Sequence, residues 1–274
     1  MIRHDTHLHT DYSPDSHTPV VDQIRQAHRL GLYGIGITDH MDHGFPEDQL
    51  PPGWVGTAFN FDVEEYIFGL EKLRESEQDM DICIGVECGL LTDTEVVEFN
   101  RKLCVDPRFD YAIGSIHLID KKDPYYPPFW EGRRFQNVMR RYFEITLENI
   151  ELFQSFQILG HMDYAVRYAP EKGMYIPADY FEITDEIMRF LIRNDIALEV
   201  NTSSLRKGFG FTNPHPDFIQ RYHELGGQLI TIGSDSHDTD GMAFAFDEAE
   251  TMLREIGFHE YAVFHGKKPV MQPL

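Results

Sequence analysis

Short apolar runs alternate with longer stretches of helical spacing along the whole chain. Residues 2–8 read as a strand, and Val20, Val21, Ile24, Ala27 and His28 mark one stripe of a helix over 20–30 that Gly31 stops. The same reading predicts further strands at about 33–38, 82–86, 111–115, 157–160, 196–200 and 228–233. Between them it predicts helices at about 62–78, 95–104, 135–153, around 187–192, 218–225 and 242–256, with a short tail after the last. Phe135, Val138, Met139, Tyr142, Thr146, Ile150 and Phe153 form the clearest helical stripe. Strand-then-helix units in series imply a parallel sheet. No second composition regime interrupts them, so we expect one α/β domain over 1–274 and favour a closed, irregular barrel over an open sheet. Two long connections, about 41–61 and 118–134, exceed the usual loop length and are expected to serve function.

Composition narrows the function classes. A formal charge of −22 argues against a nucleic-acid surface, which needs a basic stripe, and against anionic membranes. No apolar run approaches a membrane span, and the N-terminus lacks the apolar core of a signal peptide. Cys83, Cys88 and Cys104 form no C-x-x-C pair and read as reduced, buried thiols. The expectation is a cytoplasmic protein that acts on a small molecule.

The chemistry sits at the strand ends. Asp5, His7 and His9 share one face of the first strand, because side chains alternate with period two. Later strands end at Asp39-His40, Glu87, His117, His161, and Asp235 with His237. Each residue alone has an ordinary reading as a turn, a cap or a hydrogen-bonded histidine. In a (β/α) barrel, however, the C-terminal strand ends converge on one mouth, where such a crowd of imidazoles and carboxylates needs metal to offset desolvation. The candidate ligands are His7, His9, Asp15, His40, Glu87, His117, His161, Asp235 and His237. This nitrogen and oxygen set suits Zn, Mn or Fe, and it exceeds what one ion can use, so two or three divalent ions are expected.

The fragments Asp5-Thr6-His7-Leu8-His9-Thr10, Thr38-Asp39-His40, Gly85-Val86-Glu87, Gly114-Ser115-Ile116-His117, Gly160-His161-Met162-Asp163 and Gly233-Ser234-Asp235-Ser236-His237, in this order, resemble the PHP (polymerase and histidinol phosphatase) superfamily. The resemblance implies a distorted (β/α)7 barrel with the active site at the C-terminal ends of the strands and a trinuclear metal centre. Carried over, one ion would take His7, His9, Glu87 and Asp235, a second Glu87, His117 and His161, and a third Asp15, His40 and His237. Asp5, Asp39 and Asp163 would orient histidine ligands, and at most one of the neighbours Asp39 and His40 should reach a metal directly.

Within the superfamily the chain is most similar to histidinol-phosphate phosphatases of the PHP type, through residues 7–16, the segment Gly160–Arg167 and the segment Asn201–Gly208. That likeness makes Arg167 and Arg206 candidate phosphate clamps, with Arg133, Arg134 and Lys207 behind them. His17, His43 and His215 and the aromatics Phe129, Trp130, Phe209 and Phe211 are candidates for the pocket wall. The implied activity is hydrolysis of L-histidinol phosphate to L-histidinol and phosphate, a step of histidine biosynthesis. A hydroxide between the first two ions would attack phosphorus, with Glu87, Asp235 and His237 as the catalytic residues. A phosphoesterase for nucleotides, oligonucleotides or phosphotyrosine, a non-catalytic metal-binding domain, and C–N bond hydrolysis remain the alternatives.

Overall fold

A computed structural model describes residues 1–51, 54, 59–170 and 172–274. Part of the expected 41–61 connection, namely Pro52, Gly53 and residues 55–58, lies outside the described residues. Strand β1 (His4–Leu8) is followed by helix α1 (Val20–Leu30), strand β2 (Gly34–Ile37) and a two-residue strand β3 (His40–Met41). Helix α2 (Val63–Ser76) begins where the Asp62 carboxylate accepts the Glu65 N–H, satisfying one of the free donors of a helix start. It leads to β4 (Asp81–Gly89), and α3 (Thr94–Val105) leads to β5 (Tyr111–Ser115). Next come α4 (Phe135–Leu152), β6 (Ile158–Leu159), α5 (Phe181–Arg193) and β7 (Ala197–Asn201). A single turn α6 (Ser203–Arg206), then α7 (Pro216–Glu224), β8 (Ile230–Gly233) and α8 (Phe246–Ile256), complete the series.

Hydrogen bonds join the strands in the order β1-β2-β4-β5-β6-β7-β8, and every pairing is parallel. The sheet then curls shut. The Asp235 N–H donates to the His7 carbonyl at 2.8 Å, and the His9 N–H donates to the Ser236 carbonyl at 2.9 Å. The result is a nearly closed seven-stranded barrel wrapped by helices. Its strand residues Ile35, Ile37, Ile84, Val86, Ile113, Leu198 and Ile232 are all buried. Both faces of each strand are covered, which is why the strands read as continuous apolar runs without alternation.

Two elements differ from the sequence reading. The strand expected at 33–38 breaks after Ile37. Thr38 gives its N–H to the Leu8 carbonyl, and the chain resumes as β3, which keeps β4 as its partner through His40 and Glu87 but no longer pairs with β1. The expected tail is an antiparallel hairpin, β9 (Glu260–His265) and β10 (Lys268–Pro273). Its turn residues Gly266 and Lys267 have φ of 50° and 66°, the paired positive values that a two-residue hairpin turn requires. The hairpin covers the N-terminal mouth: the Tyr261 hydroxyl accepts the Arg3 N–H and meets His4 Nδ1 at 3.0 Å, and the Lys267 N–H donates to the Asp110 carbonyl. The opposite mouth stays open for chemistry.

Candidate metal centre

Each strand end delivers its side chain for a local reason. His7 and His9 sit two apart at the end of β1 and face the same way. Glu87 lies inside β4, opposite His40 of β3 and Ile113 of β5. His117 and His161 each follow their strand by two residues, and Asp235 and His237 follow β8. Asp235 adopts a left-handed φ of 52°, a conformation that is uncommon for a residue with a side chain. Behind the centre, a Cβ at Gly233 would lie 2.4 Å from His7 Cβ, so only glycine lets β8 approach β1 there.

The nine candidates converge. Glu87, fully buried, presents Oε1 to His161 Nε2 at 2.9 Å and to His117 Nε2 at 3.3 Å. Its Oε2 lies 3.5 Å from both His7 Nε2 and His9 Nε2 and 2.9 Å from His40 Nδ1. Asp235 Oδ1 lies 3.4 Å from His9 Nε2 and 3.9 Å from His7 Nε2. Asp15, partly exposed, approaches His237 Nε2 at 3.2 Å and His40 Nε2 at 3.6 Å. Three groups gather ligand atoms within 4.8 Å of one another: His7, His9 and Glu87; Glu87, His117 and His161; and His9, His40 and His237. A further group joins His40, Asp42 and His117.

The donor set fits divalent metal. His7 Nε2 and His9 Nε2 face each other at 3.1 Å, so at most one proton can lie between them. Glu87 Oε2 and His40 Nδ1 are both buried and neither has a hydrogen-bond partner among the described residues, although they nearly touch. Lone pairs crowded toward shared points are what a bound cation relieves.

Electrostatics sharpen the picture. Burial alone would lower the His7 and His40 imidazoles, yet Glu199 and Glu87 hold His7 well above its ordinary range, and Asp15 and Glu87 do the same for His40. His117, likewise opposed by burial, is raised to about 10 by Asp42 and Glu87. Burial, with His237 and His40 adding to it, drives His9 well below its ordinary value, and burial also lowers His161. Burial would raise Asp235, but Arg167 and His7 keep its carboxyl well below the usual carboxylate range.

Two carboxylates at the centre escaped the sequence reading. Glu199 Oε1 meets His7 Nδ1 at 2.5 Å, and Asp42 Oδ2 meets His117 Nδ1 at 2.7 Å. Each takes the outer ring nitrogen and leaves Nε2 for the centre, as carboxylates behind metal-bound histidines do. Glu199 stands alone in the apolar run Ala197–Val200, and Asp42 lies two residues beyond His40; these were the available signals. Among the described residues, Asp5, Asp39 and Asp163 make no hydrogen bond to an imidazole ring. Asp5 accepts from the Ser234 N–H and hydroxyl and ties β1 to the Asp235 turn. Asp39 acts through Ser13, whose hydroxyl lies 3.1 Å from His9 Nδ1, while only its neighbour His40 reaches the centre. Asp163 holds Asn213, His215 and Tyr175.

Glu199→Gln tests this outer layer. Oε1 faces His7 Nδ1, while Oε2 accepts the His161 N–H at 2.7 Å and lies 3.2 Å from Asn201 Nδ2. An amide cannot serve both sides. Metal affinity should fall on the order of 10–100-fold in chelator competition; an unchanged affinity would remove Glu199 from the centre's support.

The centre opens into a cavity of about 530 Å³ lined by Arg167, Arg206 and Lys207 and by aromatic rings of Trp54, Phe59, Tyr126 and Tyr164. Arg167 is buried and donates to Asn213, Asn201 and Asp235, each at 2.8 Å. Arg206 lies at the rim, paired with Asp238 at 2.9 Å. Neither Arg133 nor Arg134 lines the cavity, nor do His17, His43, His215, Phe129, Trp130, Phe209 or Phe211. Trp130 is instead buried with its indole N–H on the Pro124 carbonyl, and His43 stacks on Phe99. Although Lys207 keeps an exposed face, partial desolvation, with Arg167 adding like charge, pushes its ammonium down to about 8. The group is a cation below that pH and neutral above it. Inhibition by inorganic phosphate should therefore weaken as pH rises through about 8, and Lys207→Met should lose that step. An identical profile in the variant would exclude Lys207 from anion binding.

Fold and centre together define a class: a parallel barrel with a divalent-metal centre at the C-terminal ends of its strands. The chain belongs to the PHP family, whose domain model matches residues 5–203. A probable histidinol-phosphatase of Clostridium acetobutylicum is 33% identical over 249 residues, covering 90% of this chain and 91% of its own. The histidinol-phosphatase of Lactococcus lactis subsp. lactis is 30% identical over 276 residues, covering 98% and 96%. A crystal structure of the histidinol phosphate phosphatase from that organism, complexed with zinc, L-histidinol and phosphate, matches with a TM-score of 0.86 over 98% of each chain. Among the described residues, no helix is long and apolar enough to cross a membrane.

Proposed function

We propose that this chain is a metal-dependent phosphomonoesterase that hydrolyses L-histidinol phosphate to L-histidinol and phosphate. The observation that carries the reading is the cavity itself, in which a buried histidine and carboxylate cluster lies beside Arg167, Arg206 and Lys207. Likeness over nearly the full length to a relative that binds L-histidinol and phosphate supports the substrate. His7, His9, Glu87 and Asp235 would hold one ion, Glu87, His117 and His161 a second, and Asp15, His40 and His237 a third. Zn, Mn or Fe suits these donors, and such ions supply Lewis-acid charge and activate water.

The chain's own residues do the rest. Glu87 reaches the first two sets through its two oxygens and keeps them at fixed separation. Arg167 locks Asp235 so that Oδ1 faces His9 while Oδ2 is held away. His237, the most open of the six imidazoles at 30% exposure, lies where substrate enters. Arg206 and Lys207 add positive charge where phosphoryl oxygens must sit. We further propose that the substrate is a small molecule rather than nucleic acid, given the net charge of −22. Three buried cysteines without a disulfide fit a cytoplasmic setting.

The test is phosphate release from L-histidinol phosphate beside a panel of other phosphomonoesters, on protein of measured metal content. A preference of about a hundredfold or more is expected, roughly 2.7 kcal/mol at the transition state. Flat activity across the panel would overturn the substrate, and none at all in metal-replete protein would favour a binding domain.

A further inference from the structure

The cavity has a second pole that phosphate chemistry leaves unused. Asp123, on the 118–134 connection, lines the same cavity as the centre. Its backbone N–H is fixed by Gln49 Oε1 at 3.1 Å, and its Oδ1 accepts the Tyr125 N–H at 2.8 Å. Oδ2 has no hydrogen-bond partner, and the carboxylate has no cationic partner, among the described residues. The neighbouring Lys122 is not available, since it pairs with Asp48 at 2.5 Å. Burial, with Asp42 adding negative charge, raises the Asp123 carboxyl to about 6, against the hydrogen bond from Tyr125 and the pull of His117. A half-buried carboxylate without a counter-charge is costly, and a cation arriving with the substrate would offset that cost. The same cavity is lined by Trp54, Tyr125, Tyr126 and Tyr168, and Tyr125 lies against both Tyr126 and Tyr168; aromatic rings suit a cation or a flat heteroaromatic ring.

We infer that Asp123 is a specificity-determining residue, whose Oδ2 receives the ammonium group of an amino-alcohol phosphate while the adjacent aromatic wall takes the rest of the leaving alcohol. The inference rests on the phosphomonoesterase reading of the cavity and deepens it. The ammonium of such a substrate lies two carbons from the ester oxygen. Asp123 and the ligands His117, His161 and Asp235 line one cavity, so one substrate can reach both the centre and the carboxylate. The cavity is thus polarised, with arginines and a lysine for the phosphoryl group and an unpaired carboxylate for the leaving group.

Asp123→Asn keeps the shape and removes the charge. With L-histidinol phosphate, kcat/KM should fall on the order of 10–100-fold, mostly through KM, as expected for losing a charge-assisted hydrogen bond. With 4-nitrophenyl phosphate, which carries no cation, kcat/KM should stay within about twofold, and inhibition by inorganic phosphate should not change. Equal losses on both esters, or weakened phosphate inhibition, would mean a structural role and overturn the inference. A wild-type chain without preference for the cationic ester sinks the substrate reading, whereas a wild-type preference that survives Asp123→Asn sinks this inference alone.

Discussion

Replacing Glu87 with glutamine is expected to lower kcat/KM by about 10³-fold or more, roughly 4 kcal/mol at the transition state. Glu87 touches more of the centre than any other side chain, with ring nitrogens of His7, His9, His40, His117 and His161 all within 3.5 Å of its two oxygens. Burial would raise its carboxyl, yet His7, His117 and His40 hold it well below the ordinary range, so it stays anionic. Glutamine preserves the volume but removes the charge, and its NH₂ must face either the Ser115 hydroxyl with His117 and His161, or His40. Neither side then offers the oxygen that two ligand sets share. Metal content per chain, read by elemental analysis, should fall together with activity while the circular dichroism spectrum is kept. A Glu87→Gln protein with full metal and near-normal turnover would sink the scheme.

The barrel was legible in sequence because its strands are buried on both faces and each is followed by a helical stripe, the strongest pattern a chain can carry. The two misreadings have physical causes. At the break after Ile37 the chain leaves β1 while keeping β4 as its partner, and no local propensity records that. The hairpin at 260–273 turns on Gly266-Lys267 rather than an asparagine-glycine pair, and its second strand itself contains Pro269 and Pro273, so its sequence signal is weak. The candidate centre was legible as residue types because strand ends in a barrel converge. Its support was not: Asp5, Asp39 and Asp163 stand in the expected fragments but spend their oxygens on loops. Glu199 and Asp42, from other segments, hold the rings of His7 and His117. Pairings between distant segments are tertiary facts. A lone glutamate in an apolar strand is the trace they leave.

Arg167→Ala should show that one side chain serves both stability and substrate. Its guanidinium is almost wholly buried, and it binds Asp235 Oδ2, Asn201 Oδ1 and Asn213 Oδ1 from three separate segments. Removing one member of a buried ion pair leaves the other without its counter-charge, at about 3–5 kcal/mol. For a chain of this length that corresponds to a fall in Tm of about 5–15 °C. Among the described residues, Asp235 Oδ2 would keep only Asn201 Nδ2 at 3.2 Å and the Ser203 hydroxyl at 3.4 Å, so the aim of Oδ1 at His9 loosens. Arg206 offers the control: its pair with Asp238 is exposed at the rim, where ion pairs contribute little, so Arg206→Ala should barely move Tm. If both arginines meet phosphate, both variants should weaken inhibition by inorganic phosphate, but only Arg167→Ala should also melt early. Arg167→Lys separates the two roles, because lysine restores a charge beside Asp235 without the planar fork that spans Asn201 and Asn213. It should recover part of the Tm and little of the phosphate affinity. Full recovery of both would mean that charge alone matters at this position. An unchanged Tm in Arg167→Ala would mean that the Asp235 turn is held by its backbone bond to His7 and by Asp5 behind it.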